Sequence, residues 1–216
     1  MTWWERQVVP RLTNFCCGLG DVDKLRSPVC EGLHGKVLEV GFGTGHNVKH
    51  YPAAVTSVTA IEPSDLSWRM AQARVSSSPV EIRRGGLDGQ RLDLPDDSFD
   101  CALSTFTMCT IPDLDAALGE VCRVLRPEGT LHFVEHGLSP ETQVARRQRR
   151  FEPMNRRIAG GCHLTRTIDV HIERAGFELV QVERFYDSGP KPFGYIYRGS
   201  AKLTRAWLSG AGEGYR

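Results

Sequence analysis

A glycine-rich turn follows a short apolar run near residue 40 of the 216-residue chain. Gly41, Gly43 and Gly45 occupy every second position, with Thr44 inside the turn and Asn47 just after it. Glycine permits positive φ and lets a ligand approach the backbone closely. We expect a helix to start here, so that its free N–H groups favour an anionic part of the ligand. The turn predicts a site for a nucleotide-like molecule.

Two neighbouring residues narrow the choice of ligand. His46 stands where the dinucleotide pattern G-x-G-x-x-G needs its third glycine, which argues against an NAD(P)-dependent oxidoreductase. Glu39 precedes the turn, and a carboxylate beside the site suits an amino group or a sulfonium cation but repels a pyrophosphate. The pattern therefore favours a positively charged, nucleoside-containing cofactor.

A second acidic position follows the next strand-like run. Glu62 lies roughly 20 residues after the first loop glycine, where an acid can accept hydrogen bonds from both ribose hydroxyls. Pro63 follows, and Ser64 is placed to cap a helix. A purely helix-capping role for the acid is the alternative.

A third acidic position, Asp88, follows the third strand-like run together with Gly89 and Gln90. Its carboxylate could accept a hydrogen bond from an adenine amino group. An acidic surface loop is the alternative for these residues.

Four ordered motifs together resemble the class I S-adenosylmethionine-dependent methyltransferases. They are residues 39–45, 62–64, 95–100 and 120–129, and the resemblance extends over roughly residues 35–200. Within this family the chain is most similar to the small-molecule branch that holds quinone and sterol methyltransferases and a group of membrane-anchored thiol S-methyltransferases. Residues 107–110, 133–136 and 161–166 point toward the thiol group, although the hydrophobic N-terminal anchor of that group has no counterpart here.

The resemblance implies S-adenosyl-L-methionine as the cofactor. It implies that the loop glycines line the methionine and ribose portion, that Glu62 holds the ribose, and that Asp88 to Gln90 flank the adenine. Thr105, Phe106 and Thr107 would lie under the methionine end and face the substrate. The expected cofactor-binding set is Glu39, Gly41, Gly43, Thr44, Gly45, Asn47, Glu62, Pro63, Ser64, Asp88, Gly89, Gln90, Thr105, Phe106 and Thr107.

Two histidines are candidates for contact with the methyl acceptor. His163 follows the flexible pair Gly160 and Gly161 and could serve as acid, base or substrate contact. His136 falls at the carboxyl end of the fifth strand-like run, where the active sites of such sheets lie. A packed core histidine is the alternative for His136. The spacing of cysteine, histidine and acidic residues predicts no metal site.

The predicted reaction is an SN2 methyl transfer to a small, largely apolar acceptor, a thiol or a phenol. The protein aligns the nucleophile and excludes water, and a thiolate needs little further help. Two alternatives stay open: a non-catalytic S-adenosylmethionine-binding protein, and an RNA methyltransferase that uses the basic segment between Arg146 and Arg157.

The sequence alternates between strand-like and helix-like patterns, and the predicted strands and helices must position these residues. The strand-like runs are residues 36–40, 55–62, 80–84, 99–104, 129–135, 177–186 and 193–200, with helices expected after Ser64, from Asp113 to Leu125, after Pro140 and from Thr165 to Ala175. We predict an α/β, Rossmann-like fold: a seven-stranded, mostly parallel sheet with helices on both faces and a terminal antiparallel hairpin. Residues 1–34 would form a helical lid, 35–200 the methyltransferase domain and 201–216 a tail.

Composition excludes several classes of protein. Hydrophobic residues make up 40% and charged residues 25%, and the formal net charge is +1, so nucleic acid is an unlikely main partner. No apolar run approaches the roughly 20 residues that span a bilayer, and the N-terminal residues break into charges at once. A cytoplasmic protein with mostly reduced core cysteines is expected.

Overall fold

A computed structural model describes residues 3–18 and 20–204. Four short helices come first, over the segment predicted as a lid. They are α1 (Trp3–Gln7), α2 (Val9–Cys17), α3 (Gly20–Lys24) and α4 (Arg26–Cys30). Most of the predicted tail, residues 205–216, lies outside the described part of the chain.

A seven-stranded sheet forms the centre of the molecule, in the order β3-β2-β1-β4-β5-β7-β6. Neighbouring strands from β3 to β5 pair in parallel, whereas β7 pairs antiparallel with both β5 and β6. The predicted fold class and terminal hairpin are therefore confirmed. The strands are β1 (Gly35–Val40), β2 (Val55–Ile61), β3 (Glu81–Gly86), β4 (Phe99–Thr105), β5 (Leu125–His136), β6 (Phe177–Tyr186) and β7 (Tyr195–Leu203).

Side-chain caps start two of the remaining helices. The Ser64 hydroxyl accepts a hydrogen bond from the Ser67 N–H at the start of α5 (Asp65–Ser76). The Asp113 carboxylate accepts one from the Ala116 N–H at the start of α6 (Leu114–Val124). The other two helices are α7 (Thr142–Ile158), which contains Pro153, and α8 (Ile168–Arg174).

Both faces of the sheet are covered because strand residues alternate between two apolar clusters. On one face, Leu38 of β1 and Phe133 of β5 pack with residues of α6 and α8. On the other, Val37 and Val134 pack with residues of α4. Within the described chain, no helix is both long and apolar enough to cross a membrane.

Two local predictions were wrong. The glycine turn leads into a short 3-10 helix, Val48–His50, and not into an α-helix. Tyr51 precedes Pro52 and takes an extended conformation, which the proline ring favours and which ends the helical turn. The last strand continues to Leu203, so residues 201–203 belong to the sheet and not to a tail.

Candidate functional site

A cavity of about 550 Å³ opens where β1, β2 and β4 end. The carboxyl ends of parallel strands are the usual ligand site of such sheets. Most of the predicted cofactor residues line this cavity, and three of them, Glu39, Gly45 and Asn47, do not. Those that do are Gly41, Gly43, Thr44, Glu62, Pro63, Ser64, Asp88, Gly89, Gln90, Thr105, Phe106 and Thr107.

Glu62 joins the glycine turn to the end of β2. One of its carboxylate oxygens accepts the Gly43 N–H at 2.6 Å and the other accepts the Ser64 N–H at 2.8 Å. Burial raises the pKa of the carboxyl, against the lowering effect of these two bonds. Each oxygen keeps a free lone pair, so the group can still accept two hydroxyl donors from a ligand.

The glycine turn needs its glycines for two different reasons. A side chain at Gly41 would overlap Thr107, so this position brings β1 and β4 together. Gly43 has a φ of +59°, and a Cβ built there meets no atom within 4 Å. Because Gly43 lines the cavity, that open space is where a ligand would contact the backbone.

A buried polar network lies beneath the cavity floor. The Asn47 amide donates to Glu39 and to Thr105, both at 2.9 Å, and Tyr51 donates its hydroxyl to Glu39. Burial raises the pKa of Glu39 to about 7, although the Tyr51 and Asn47 bonds oppose the shift. Glu39 and Asn47 therefore support the cavity floor from below. Glu39 does not itself line the cavity, so the arrangement does not favour the direct contact expected between Glu39 and a cationic ligand.

Arg26 completes this network and was missed by sequence reasoning. Its guanidinium donates to Asn47 at 2.9 Å and to Thr105 at 2.6 Å, and it lies 5.4 Å from the centre of the Phe106 ring. The residue is 4% exposed and lines the cavity, and its Nε has no hydrogen-bond partner in the described chain. The charge of Arg26 acts on Glu39 to lower its pKa against the larger effect of burial, and the unpaired Nε–H of this buried cation suits an anionic ligand group. Its position in the N-terminal segment carries no motif that could have revealed it.

Asp88 and Gln90 form one rim of the cavity. The Asp88 carboxylate accepts from the backbone N–H and the side-chain amide of Gln90, which lowers its pKa. Gln90 in turn accepts the Asp113 N–H at 2.8 Å. The loop is thus held to the start of α6 with one Asp88 oxygen left for a ligand.

Glu135 anchors the loop after β4, and this role was also missed. Its buried carboxylate accepts the Ser104 hydroxyl at 2.8 Å and the N–H groups of Thr107, Met108 and Cys109 at 2.9, 2.9 and 3.2 Å. Burial raises its pKa, and the same hydrogen bonds act in the opposite direction. Four donors on one acid hold the loop that carries the predicted residues 105–107.

The other side of the cavity is largely apolar and comes from distant parts of the chain. Helix α2 contacts the loop after α7, since a Cβ at Gly160 would lie 3.0 Å from Val9. Arg166 donates to the carbonyls of Met108 and Ile111 and so holds the loop after β4. The residues lining this side are Val9, Pro10, Thr13, Phe106, Thr110, Ile111, Pro112, Ala159, Gly160 and Gly161.

Neither predicted catalytic histidine lines the cavity. The His163 imidazole lies 3.4 Å from Glu152, while its backbone N–H donates to the Cys109 carbonyl at 2.8 Å. The His136 ring packs against Phe106, with 4.9 Å between ring centres. Contact between His163 and the methyl acceptor therefore stays a prediction, and this arrangement does not favour it. The pair Gly160 and Gly161 does reach the cavity, as expected.

His136 belongs to a cluster with two thiols, Cys109 and Cys162. The Cys109 thiol and the imidazole lower the pKa of Cys162 despite its burial. The interactions with Cys162 and with Glu135 raise the pKa of His136, although burial lowers it. The resemblance to thiol S-methyltransferases drew on the three segments that hold these residues, but their spacing in the sequence did not predict that the side chains meet.

Comparison with known proteins adds independent information. A model of the methyltransferase domain family matches residues 38–133. Thiol S-methyltransferase TMT1B of Rattus norvegicus is 36% identical over 176 residues, which cover 79% of this chain and 69% of the relative. Thiol S-methyltransferase TMT1A of Homo sapiens is 32% identical over 158 residues, covering 70% of this chain and 64% of the relative. The chain thus spans about two thirds of the length of these relatives.

Among solved structures, a SAM-dependent methyltransferase from Aquifex aeolicus superposes with a TM-score of 0.65. It is 17% identical, and the match covers 90% of this chain and 98% of that protein. At this identity the likeness concerns the fold alone.

Proposed function

The chain belongs to the class I S-adenosylmethionine-dependent methyltransferases, and from that premise we propose that its methyl acceptor is a small, largely apolar thiol. The observation that carries the proposal is the division of the cavity. The segments after β1, β2 and β3 present carboxylates and backbone groups suited to a nucleoside, whereas α2 and the loops after β4 and α7 present mainly apolar side chains, threonine hydroxyls and glycines. The thiol S-methyltransferases among its relatives support the choice of sulfur.

The cofactor would be held along the polar side. Glu62 would accept from the ribose hydroxyls through its free lone pairs, and Asp88 with Gln90 would flank the adenine. Arg26 is assigned here to the methionine carboxylate, because its buried guanidinium lines the cavity and its Nε has no hydrogen-bond partner in the described chain. Thr105 and Phe106 would lie next to the methionine end. The open space over Gly43 would leave room for the cofactor to contact the backbone of the glycine turn.

The apolar side would do its work by positioning and by excluding water. The bound cofactor supplies a methyl group that its sulfonium already makes electrophilic. The chain's own residues need only to hold the acceptor sulfur in line and to keep water away. Helix α2 and the loop at Gly160 would close over that side, which is the lid role proposed for residues 1–34. A simple thiol, with a pKa of roughly 8–9, is partly ionised near neutral pH without a protein base, so an apolar wall suits it better than it suits a neutral hydroxyl.

Transfer of a labelled methyl group to a panel of acceptors tests the proposal. The panel contains simple thiols, phenols, amines and tRNA, assayed between pH 6 and 9. We expect methylation of apolar thiols, with a rate that rises toward the acceptor's own pKa of roughly 8–9. Transfer to tRNA and to no small thiol or phenol would overturn the acceptor class. Cofactor binding without any turnover would instead indicate a non-catalytic binding protein.

One observation keeps the RNA alternative in the panel. Six arginines lie exposed along α7, whose buried positions include Val144 and Gln148. A solvated helix face accounts for such an arrangement, and the net charge of +1 gives a polyanion no general attraction. The arginines are Arg146, Arg147, Arg149, Arg150, Arg156 and Arg157.

Residence in the cytoplasm, expected from the sequence, also stays a proposal. Fractionation of cells that express the whole chain checks it. Recovery in the membrane fraction would contradict it.

A further inference from the structure

Three soft ligand atoms meet just behind the apolar wall of the cavity. Cys109 lies in the loop after β4, His136 ends β5 and Cys162 follows α7. The two sulfurs and one imidazole nitrogen all lie within 4.8 Å of one another, and both thiols are buried. The methyl-transfer proposal uses none of these three side chains.

We propose that Cys109, His136 and Cys162 bind one zinc ion. Two thiolates and one imidazole are ligands that zinc prefers, at bond lengths of about 2.3 and 2.0 Å. Tetrahedral geometry with those bonds places neighbouring ligand atoms roughly 3.5–3.8 Å apart. Since all three atoms lie within 4.8 Å of one another, that spacing requires a contraction of about 1 Å at most. A fourth position would remain for water, as in zinc sites with three protein ligands.

The backbone around the three ligands is already held in place. The His163 N–H donates to the Cys109 carbonyl at 2.8 Å, which ties the two cysteine segments together. Asn155 donates to the Cys162 carbonyl at 2.8 Å, and Glu135 accepts the Cys109 N–H at 3.2 Å. Supporting hydrogen bonds of this kind orient the ligands of metal sites. The site would therefore bind zinc without a large rearrangement.

The position of the site indicates what the ion would do. Cys109 precedes Thr110 and Cys162 follows Gly161, and both of these neighbours line the apolar side of the cavity. The His136 ring packs on Phe106, which lines the same side. Zinc would hold together the two loops that form the acceptor wall. This role of the ion rests on the proposed thiol acceptor, whereas zinc binding itself does not.

Metal content and cobalt spectroscopy of the full chain test the proposal without any substrate. We expect about one zinc per chain by mass spectrometry of protein purified under reducing conditions. Replacement by Co²⁺ should give thiolate charge-transfer absorption and the visible bands of tetrahedral cobalt. Cys162→Ser and His136→Asn should each weaken Co²⁺ binding at least about 100-fold. Cys122→Ser is the matched control, because Cys122 is equally buried but lies on α6 and donates to the Ala175 carbonyl.

Several results would overturn the proposal. One is substoichiometric zinc together with no thiolate–cobalt band in the folded parent. Equal loss of cobalt in Cys122→Ser and Cys162→Ser is another. A Cys109–Cys162 disulfide that persists in folded protein purified under reducing conditions would exclude the site as well. If Cys162→Ser does not fold, the cobalt spectrum of the parent and the cobalt affinity of His136→Asn decide whether the site binds metal. Thiol methylation at the parental rate by zinc-depleted protein would overturn the role of the ion in holding the acceptor wall together and leave the proposed acceptor intact.

Discussion

The two sides of the cavity are built in different ways. Most of the cofactor side comes from a single stretch of chain, residues 41–90, where most lining residues follow strands, and Arg26 and Thr105 are added from elsewhere. The acceptor side combines α2, the loop after β4 and the loop after α7, which lie far apart in sequence. The first side can be recognised as a series of motifs, whereas the second exists only when the chain is folded.

The two sides also differ in their electrostatics. Glu39, Glu62 and Glu135 support the cofactor side and the loop beside it, and burial raises the pKa of each. The acceptor side has apolar walls backed by two thiols and an imidazole. Substitutions on the cofactor side should therefore weaken cofactor binding strongly. Substitutions behind the acceptor side should have smaller effects on activity, because those side chains only position the loops that line the cavity.

The largest effect is expected from Gly43→Val. A valine there would need a positive φ that β-branched residues rarely adopt, and its side chain would fill the space reserved for the cofactor. We expect cofactor binding to weaken by about 3 kcal/mol or more. Calorimetry with S-adenosylmethionine and S-adenosylhomocysteine measures this loss of affinity. The parent is expected to bind with a Kd in the micromolar range, which corresponds to a binding free energy of roughly −7 to −8 kcal/mol.

The control for this substitution is Gly189→Val. Gly189 is exposed and a Cβ there also meets no atom, but it lies outside the cavity lining. Parent-like binding by a folded Gly43→Val variant would show that the cofactor does not contact the glycine turn.

Glu62→Ala should weaken cofactor binding by about 2–3 kcal/mol. The substitution removes the charged acceptor for two ribose hydroxyls and also frees the Gly43 and Ser64 N–H groups. Isothermal titration on the folded variant gives the loss. Glu81→Ala, at an exposed glutamate of β3, serves for comparison and should bind like the parent. Equal affinities of the two variants would disprove the placement of the ribose.

Glu39→Gln should change how stability depends on pH. The pKa of Glu39 is about 7 in the folded protein and near 4.5 when unfolded, so the folded state retains a proton that the unfolded state loses between these values. Glu39 thus destabilises the ligand-free protein progressively as pH rises from about 4.5 to 7. Glutamine mimics the protonated acid and removes this contribution.

Urea unfolding of the ligand-free protein at pH 5 and pH 8 measures the effect. We expect Glu39→Gln to lose about 2 kcal/mol less free energy of unfolding than the parent over this interval. An identical loss in both proteins would mean that Glu39 is ionised in the folded state throughout.

Arg26→Lys should weaken cofactor binding by about 1–2 kcal/mol. Lysine keeps the charge but cannot donate to Asn47 and Thr105 while also reaching a carboxylate with a second N–H. Binding isotherms compare it with Arg91→Lys, at an exposed arginine that follows Gln90 in the sequence and does not line the cavity. Full affinity in Arg26→Lys would argue against a carboxylate at this position.

The smallest effect is expected from His163→Ala. Its imidazole faces Glu152 and does not line the cavity, so kcat/KM for a thiol should change by less than about threefold. A loss of 100-fold or more would instead make His163 a direct acceptor contact, and the loop after α7 would have to rearrange on binding.

Local patterns explain why much of the fold was predictable. Runs rich in Val, Ile, Leu, Phe and Thr marked all seven strands, and the Ser64 cap and the apolar spacing from Asp113 onward marked two helix starts, because these signals depend on neighbouring residues only. The glycine turn shows the limit of such patterns, because only a three-residue 3-10 helix follows it. There, Pro52 and the contacts of the turn with β2 decided the local structure.

By itself, then, the sequence determined the fold class, the cofactor and the residues at the ends of β1 and β2, because each of these is encoded within a short, ordered stretch. Only the tertiary structure decided which side chains meet across the cavity. It placed Arg26 against Thr105, separated by 79 positions. It gathered Cys109, His136 and Cys162, and it turned His163 toward Glu152. Contacts between distant segments depend on how the whole sheet and its loops pack, and no local pattern of residue types records them.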